Sequence, residues 1–533
     1  MLVSVNSDAA ILRVKHNAAG SNNGGSWANA FTTLNSALIA ANAGDEIWVA
    51  AGTYKPTTGT NVDLAFVMKS DVSLYGGFLG FEVSRDNRNW NSNLTILSGE
   101  IGSASNTDNS KLLVSCFNVT NCTIDGFYLE GAYWELGSGS WGQALLVFNG
   151  SNVTASHCVI RNNTGNSTGA LVSGNSFLVL DNCLFMNNWI DQASVVGTGS
   201  SDSGFLIRSC TFTLNHMIQD YAKCVSGDVG SDITVENSII WGNDNLQPDF
   251  SGGTVSHSIV EGYEYYASDQ VVGFVYNLDP EFISPGNLDF KLQPQSCAVD
   301  PGWYLSSEQT YDLAHNIREQ NGYLDLGCYE ASSCSQPNDA CVEAISLEIG
   351  ADPRMGSTKC AVASAVIDSG CQNSGTYSSW YSFVAPASGS VRITADFSIA
   401  FPTIFGTSFN LRIGLYTGTC NSLLPVGCMN NAGPNESEVY EINPLIPGEL
   451  YYVRIDGLNF QEGAFKIQIE DMNPPCLGDF DANGFVNISD LLVFNSGYGC
   501  ATNCGVQDLD ENDLVNIADL LVFASVFGTI CSE

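Results

Sequence analysis

The chain has 533 residues, with 56 acidic against 18 basic side chains, a formal net charge of −38 and only 14% charged residues. A surface of that sign repels nucleic-acid phosphates and anionic lipid, which argues against both as partners and suits cations and neutral or carbohydrate ligands; no apolar run is long enough to span a membrane as a helix. The length is worth three or four domains at about 150 residues each. Eighteen cysteines, most of them in short loop-rich contexts, point to an oxidising compartment. An extracellular or cell-surface location is therefore expected. The opening Met1-Leu-Val-Ser-Val-Asn6 has no charged segment followed by an apolar one, so a signal peptide is absent from this sequence.

From residue 20, Gly24-Gly25-Ser26-Trp27 leads into Phe31, Leu34, Ala37, Leu38 and Ala41, whose 3.6-residue spacing predicts an amphipathic helix ended by Gly44. A strand, Glu46-Ile-Trp-Val-Ala-Ala51, follows. A helix placed there would cover the unpaired edge of a β-stack. With Trp27-Ala-Asn-Ala-Phe31, Gly44-Asp-Glu-Ile47, Ala51-Gly-Thr-Tyr54, Tyr75-Gly-Gly-Phe78 and Asp86-Asn-Arg88, the opening resembles the start of bacterial surface β-helix proteins with polymorphic-outer-membrane-type repeats.

Between Cys122 and Val260 one short motif recurs. Its copies read Cys158-Val-Ile-Arg-Asn-Asn163, Cys183-Leu-Phe-Met-Asn-Asn188, Cys210-Thr-Phe-Thr-Leu-Asn215 and Ser238-Ile-Ile-Trp-Gly-Asn243, with a fifth, Ser258-Ile-Val260, that lacks the asparagine. An apolar residue stands three before each anchor (Ala155, Leu180, Ile207, Val235, Val255) and another two after it (Ile160, Phe185, Phe212, Ile240, Val260). Anchor steps of 25, 27, 28 and 20 residues are too short for a domain and right for one turn of a β-solenoid. Stacked rungs would put Asn163, Asn188, Asn215 and Asn243 in one ladder, each amide bonding the next. Cys158, Cys183 and Cys210 would stand as unpaired core residues, because free cysteine packs as a small hydrophobe. The pattern resembles the right-handed parallel β-helix of the pectin-lyase-like superfamily, which implies a mainly β fold over residues 1–331.

The closing stretch of that region, with Asp279-Pro-Glu-Phe282, Asp289-Phe-Lys-Leu292, Ser296-Cys-Ala-Val-Asp-Pro-Gly302, Arg318 and Asp325-Leu-Gly-Cys-Tyr-Glu330, resembles the end of the same group of surface proteins. Where that group commonly has proline and alanine this chain has Cys297 and Cys328, and the paired departures suggest a disulfide between them.

Residues 332–472 change to alternating strands separated by Gly, Pro and Asn turns, among them Trp380-Tyr-Ser-Phe383, Leu411-Arg-Ile-Gly-Leu-Tyr416 and Leu450-Tyr-Tyr-Val-Arg-Ile455. They resemble the Ig-like or pre-peptidase-type β-sandwich modules appended to secreted bacterial proteins. Local disulfides Cys360 to Cys371 and Cys420 to Cys428 are favoured. Trp380, Tyr381, Tyr451 and Tyr452 lie within the alternating strands, so core packing is preferred to sugar stacking.

After Pro474-Pro475, residues 473–533 carry two similar loops. The first sets Asp479, Asp481, Asn483, Asn487 and Asp490 at positions 1, 3, 5, 9 and 12, with the carbonyl of Phe485 at 7. The second repeats this 29 residues later as Asp508, Asp510, Asn512, Asn516 and Asp519, with the carbonyl of Leu514. That spacing wraps a hard cation needing six to eight oxygens, so two Ca2+ sites are expected. Each loop runs into the same Asp-Leu-Leu-Val-Phe. The pair resembles a type I dockerin, which implies a cohesin-like or cell-surface protein as its partner. Asp513 replaces the loop glycine, which weakens or reshapes the second site, and Ile488-Ser489 and Ile517-Ala518 stand where dockerins typically carry a polar pair. Cys476, Cys500, Cys504 and Cys531 are expected to staple the module.

Two functions fit. One is a secreted or cell-surface, non-catalytic adhesion or carbohydrate-binding β-helix with a calcium-binding attachment module. The other is a polysaccharide lyase or glycoside hydrolase assembled through that module. The outward column Ser156, Asp181, Arg208, Glu236, Ser256 reads as an exposed charge ladder rather than a catalytic cluster. No catalytic residue is assigned, and the five histidines, His16, His157, His216, His257 and His315, show no metal spacing; His157 and His257 are expected in solvent.

Overall fold

The repeats stack in parallel and in register, rung on rung. The computed structural model describes the chain except for residues 1–8, 104, 136–142, 221, 245–249, 252, 263–269, 301–309, 319–323, 332–334, 362–376, 401–407, 459–460, 473–476, 482–484, 502–506, 511, 513 and 530–533. It divides into two units, Met1–Cys334 and Ser335–Glu533.

In the first unit 17 strands make two faces of a parallel β-helix and eight more make the third. The column three before the anchors pairs Ala155 with Leu180, Leu180 with Ile207, Ile207 with Val235 and Val235 with Val255. The column two after them pairs Ile160, Phe185, Phe212, Ile240 and Val260 in the same order. Both columns are buried in one continuous core, where Phe185 and Phe212 stack at 4.4 Å with their rings 1° apart.

Corners between the faces are made by left-handed residues. Directly before each anchor, His157, Asn182, Ser209, Asn237 and His257 have φ between 42° and 58°. This conformation costs most side chains energy and is tolerated best by Asn, Asp and Gly. The anchor side chain ties the corner shut, bonding the carbonyl two residues back: Cys158 Sγ to Ser156 O at 3.1 Å, Cys210 Sγ to Arg208 O at 3.2 Å, Ser238 Oγ to Glu236 O at 2.8 Å. Cys158, Cys183 and Cys210 are buried thiols, as expected. A second left-handed position, Asn162, Asn187, Leu214 and Gly242, precedes each ladder asparagine. Of an Asn-Asn pair, then, the first residue turns the chain and the second ties the rungs.

That tie is the predicted ladder. The Asn163, Asn188 and Asn215 Nδ2 groups donate to the next rung's Oδ1 at 3.0, 2.9 and 3.0 Å. Each Nδ2 also donates to a carbonyl of the preceding rung, Leu129, Ile160 and Phe185 respectively. The first three asparagines are fully buried, so every bond is made where water cannot replace it.

Helix α1 (Leu34–Ala40), capped by Thr33, buries Leu34, Ala37 and Leu38 in the solenoid core. It packs against Phe66–Val67, the edge strand of the third face, and so covers the edge that would otherwise be open. At the far end, residues 310–318 and 324–331 lie along the outside of the rungs. Gly327 N donates to Asn237 O, and Cys328 N donates to Thr211 Oγ1. Buried Arg318 holds the carbonyls of Asp325 and Gly327, and the Asp325 carboxylate accepts from the backbone of Asp300 and Ala331. Cys297 and Cys328 do not form the suggested disulfide. Both are buried thiols, Cys297 Sγ facing Asp279 O while Cys328 lies against Thr211 on a different rung.

The second unit contains a five-stranded and a four-stranded sheet, mostly antiparallel, whose inner faces share one core that includes Phe383, Ile393, Leu415, Val453 and Ile467. Trp380, Tyr381 and Tyr451 are at most 4% exposed and pack rather than present a sugar platform. Cys420 pairs with Cys341 across 79 residues, not with Cys428 as expected. Proximity in sequence misled here: Cys428 sits one strand over on the hairpin that follows Cys420, while Cys341 opens the unit. Cys360 and Cys428 are both disulfide-bonded; Cys371 lies outside the described residues.

Candidate functional site

A cleft of about 620 Å³ opens on the outer corner of the first unit. Its base is built from consecutive rungs. Tyr75 and Ser156 flank Asp125 in register, one rung to either side. Because Ile124 points into the core, Asp125 must point out, and the left-handed corner at His157 turns that ring toward it. The 3-10 turn at Arg85–Asn87 brings Arg88 and Trp90 over the same rungs. The strap at residues 310–318 closes one side with Tyr311 and His315.

These groups interlock. Arg88 Nη2 pairs with Asp125 Oδ2 at 2.7 Å, and His157 Nδ1 lies 2.9 Å from Asp125 Oδ1. His157 Nε2 lies 3.0 Å from the Tyr311 carbonyl, which also accepts from Asn182 Nδ2. Both partners of the ring are acceptors, a carboxylate oxygen on one side and a carbonyl on the other. Trp90 stacks on His157 at 4.1 Å and leans on His315 at 4.7 Å, while its buried Nε1 has no acceptor among the described residues. Toward solvent, Arg85 Nη1 donates to the Tyr75 hydroxyl and to Glu46, each at 2.9 Å.

Burial alone would raise the Asp125 carboxyl, but His157 and Arg88 together bring it down to about 2. A depressed carboxylate adds stability above its unfolded value near 3.9 and loses it as pH falls toward 2, a contribution of about 2 kcal/mol. Asp125→Asn is therefore expected to lower the thermal midpoint of the first unit at neutral pH and to flatten its decline between about pH 5 and pH 2. Parallel acid titrations of melting temperature check this; equal slopes in the two proteins would contradict it.

The column chosen from sequence is partly as expected. Asp181, Arg208 and Glu236 stand in register, and Arg208 Nη2 meets Asp181 Oδ2 at 2.7 Å. The pair is not exposed, however: Asp181 is 1% and Arg208 9% accessible. His157 is likewise buried, at 4%, because Trp90 and the strap cover it. Sequence reasoning stopped one rung short of Asp125, whose rung carries Gly126-Phe127 in place of an anchor.

The two C-terminal loops are built alike. Helix α2 (Ile488–Gly497) starts with a capping box of Asn487 and Asp490, and α3 (Ile517–Val526) with Asn516 and Asp519. Asp490 Oδ1 accepts from Phe480 N at 2.7 Å and Asp481 N at 3.1 Å; Asp519 Oδ1 accepts from Leu509 N and Asp510 N at the same two distances. Phe480, Phe494 and Phe523 stack between the helices, and Val486 and Val515 each pair with the backbone that follows the other loop's helix. Carboxylate oxygens of Asp479, Asp481 and Asp490 lie within 4.8 Å of one another, and so do those of Asp508, Asp510 and Asp519. The Phe485 and Leu514 carbonyls accept from the Asn487 and Asn516 amides at 3.0 Å. Asn512 N donates to Asp508. Asn483, Asp513, Cys476, Cys504 and Cys531 lie outside the described residues; Cys500 is disulfide-bonded.

Residues 18–254 match the family model described as a protein of unknown function (DUF1565). No curated protein matches the sequence. Solved structures similar to the chain include a pectate lyase, Pel9A, at 16% identity and a TM-score of 0.32, and a rhamnogalacturonan lyase at 12% and 0.28, each covering 61% of this chain and 97% of its own. A tailspike protein of bacteriophage CBA120 aligns at 9% identity and a TM-score of 0.18, over 80% of this chain and 64% of its own. The parallel β-helix rests on the strand pairing described above rather than on these scores. No helix among the described residues is long and apolar enough to cross a membrane.

Proposed function

We propose that the protein is a secreted or cell-surface, non-catalytic carbohydrate-binding β-helix that takes a polysaccharide into the lateral cleft, with residues 473–533 as a calcium-dependent, dockerin-like attachment module. The observation that carries the first part is the state of Asp125. Acid–base cleavage of a glycan asks for two carboxyl groups free to exchange protons, or for a free base beside a bound cation. Among the described residues that line the cleft the carboxylates are Asp125, committed to His157 and Arg88, and Asp86, beside the Arg85 charge. What remains suits binding: the half-buried Tyr311 and His315 rings and the exposed Arg85 guanidinium.

Ca2+ would be held in the first loop by Asp479, Asp481, Asn483, the Phe485 carbonyl, Asn487 and Asp490. In the second loop the holders would be Asp508, Asp510, Asn512, the Leu514 carbonyl, Asn516 and Asp519. Crowding of three like charges in each loop supports this reading, since a bound cation relieves it. Burial and the neighbouring Asp519 and Asp508 charges push the Asp510 carboxyl upward. Exposed Ile488, Leu492, Ile517 and Leu521 on α2 and α3 would give a cohesin-like or cell-surface partner an apolar seat.

A panel of pectic, alginate and glycosaminoglycan polysaccharides, with and without Ca2+, tests the reading. Saturable binding weakened about tenfold by Arg85→Ala, with no new reducing ends or unsaturated products, is expected. Turnover abolished by Asp86→Asn would overturn it in favour of a polysaccharide lyase or glycoside hydrolase.

A further inference from the structure

The third face of the solenoid carries a separate groove of about 420 Å³, and its walls are mostly apolar. Leu146 and Phe148 project outward from the strand Gln143–Phe148, and Trp134 stands beside them at the groove's end. Lys111 Nζ lies over the Trp134 ring at 4.3 Å and is paired with Asp63 at 2.7 Å, so its charge is cancelled locally. Gln143 also lines this groove. It is 2% exposed, and among the described residues its Oε1 has no hydrogen-bond partner. A buried amide oxygen without a donor is costly unless something supplies one.

We propose that this groove is a second binding site, for a ring of a neutral polysaccharide whose C–H face rests on the Trp134 indole while a hydroxyl donates to Gln143 Oε1. A purely apolar occupant would leave Gln143 unsatisfied. An anionic glycan would meet a neutralised lysine on a chain of net charge −38. A pyranose ring has both an apolar face and hydroxyl donors. The proposal extends carbohydrate recognition to another face of the same scaffold and stands or falls separately from the cleft.

The probes are neutral hexasaccharides, the cello-, xylo-, manno- and laminari- series, titrated against the full chain by tryptophan fluorescence and saturation-transfer NMR. At least one is expected to bind, with Trp134→Ala weakening it about tenfold or more and Gln143→Ala about fivefold. Ser173→Trp, which adds bulk at a residue lining the groove and gives up only its hydroxyl bond to Ser200, is expected to abolish binding and serves if Trp134→Ala folds poorly. Binding untouched by all three variants but lost in Arg85→Ala would overturn the groove and leave the cleft standing. The reverse pattern would uphold the groove and remove the cleft. Binding by none of the hexasaccharides, or Trp134-dependent binding of an apolar dye alone, would overturn the groove.

Discussion

Asn188→Leu is expected to destabilise the first unit by about 3–5 kcal/mol. The side chain keeps its branching, though two methyl groups are bulkier than the amide they replace, and the main loss is one of hydrogen bonds. Asn188 Oδ1 accepts from the backbone N and the Nδ2 of Asn163, at 3.2 and 3.0 Å, and its Nδ2 donates to Ile160 O and Asn215 Oδ1. Replacing it strands groups on both neighbouring rungs, where nothing else can reach them, at about 1 kcal/mol or more apiece. Cys183→Ser is the contrast: Ser238 and Ser258 already occupy that column and make the same corner bond, so about 1 kcal/mol or less is expected. Denaturant titration of both variants measures the difference, and equal costs would show that the asparagine file is not what holds the rungs together.

Removing Ca2+ is expected to unfold residues 476–533 while the β-helix remains folded. Among the described residues the apolar core of that segment is little more than Val486, Phe494, Val515, Phe523 and the partly buried Phe480, Leu491 and Leu520 around them. Such a core leaves small modules dependent on their metal. At Ca2+ a thousandfold above its dissociation constant a single site adds about 4 kcal/mol, so excess chelator should erase one calorimetric transition and leave the others. Asp490→Ala removes a carboxylate that also closes the loop through Phe480, Asp481 and Asn487, and should act like chelation even with Ca2+ present. Asp519→Ala should cost less calcium affinity, because Asp513 in its loop stands where a glycine is preferred. A thermogram indifferent to chelator would refute the calcium reading of both loops.

How much could be read beforehand follows from how far apart the deciding residues lie. The rungs repeat every 20 to 28 residues with like residues in like places, so Ala155 over Leu180 and Ile160 over Phe185 were legible as columns. The left-handed corners were not, because the sequence fills one equivalent position with His157, Asn182, Ser209 and His257; what they share is a backbone angle enforced by the stack. The cleft was illegible for another reason. Arg88, Asp125, His157 and Tyr311 come from three stretches of the solenoid and a strap more than 150 residues farther on, and no local pattern marks them as neighbours. The same distance defeated the disulfide assignment, since Cys341 and Cys420 meet through the sheet that separates them in sequence. By contrast the acidic loops are contiguous, and their carboxylates converge as their spacing implied.

That Asp125 is occupied bears on evolution of activity as well as on binding. A protein that cleaved glycans at this cleft would have to release the carboxylate from Arg88 and His157 first, which the Trp90 stack and the Tyr311 carbonyl oppose. Binding needs no such release. A crystal structure of the protein soaked with an oligosaccharide from the polymer it retains is the most direct test. An unbroken chain of sugar lying against Tyr311, His315 and Arg85, with the Asp125 pairs intact, is expected; cleaved saccharide in the cleft, or a cleft left vacant while sugar binds elsewhere, would contradict a binding role for it.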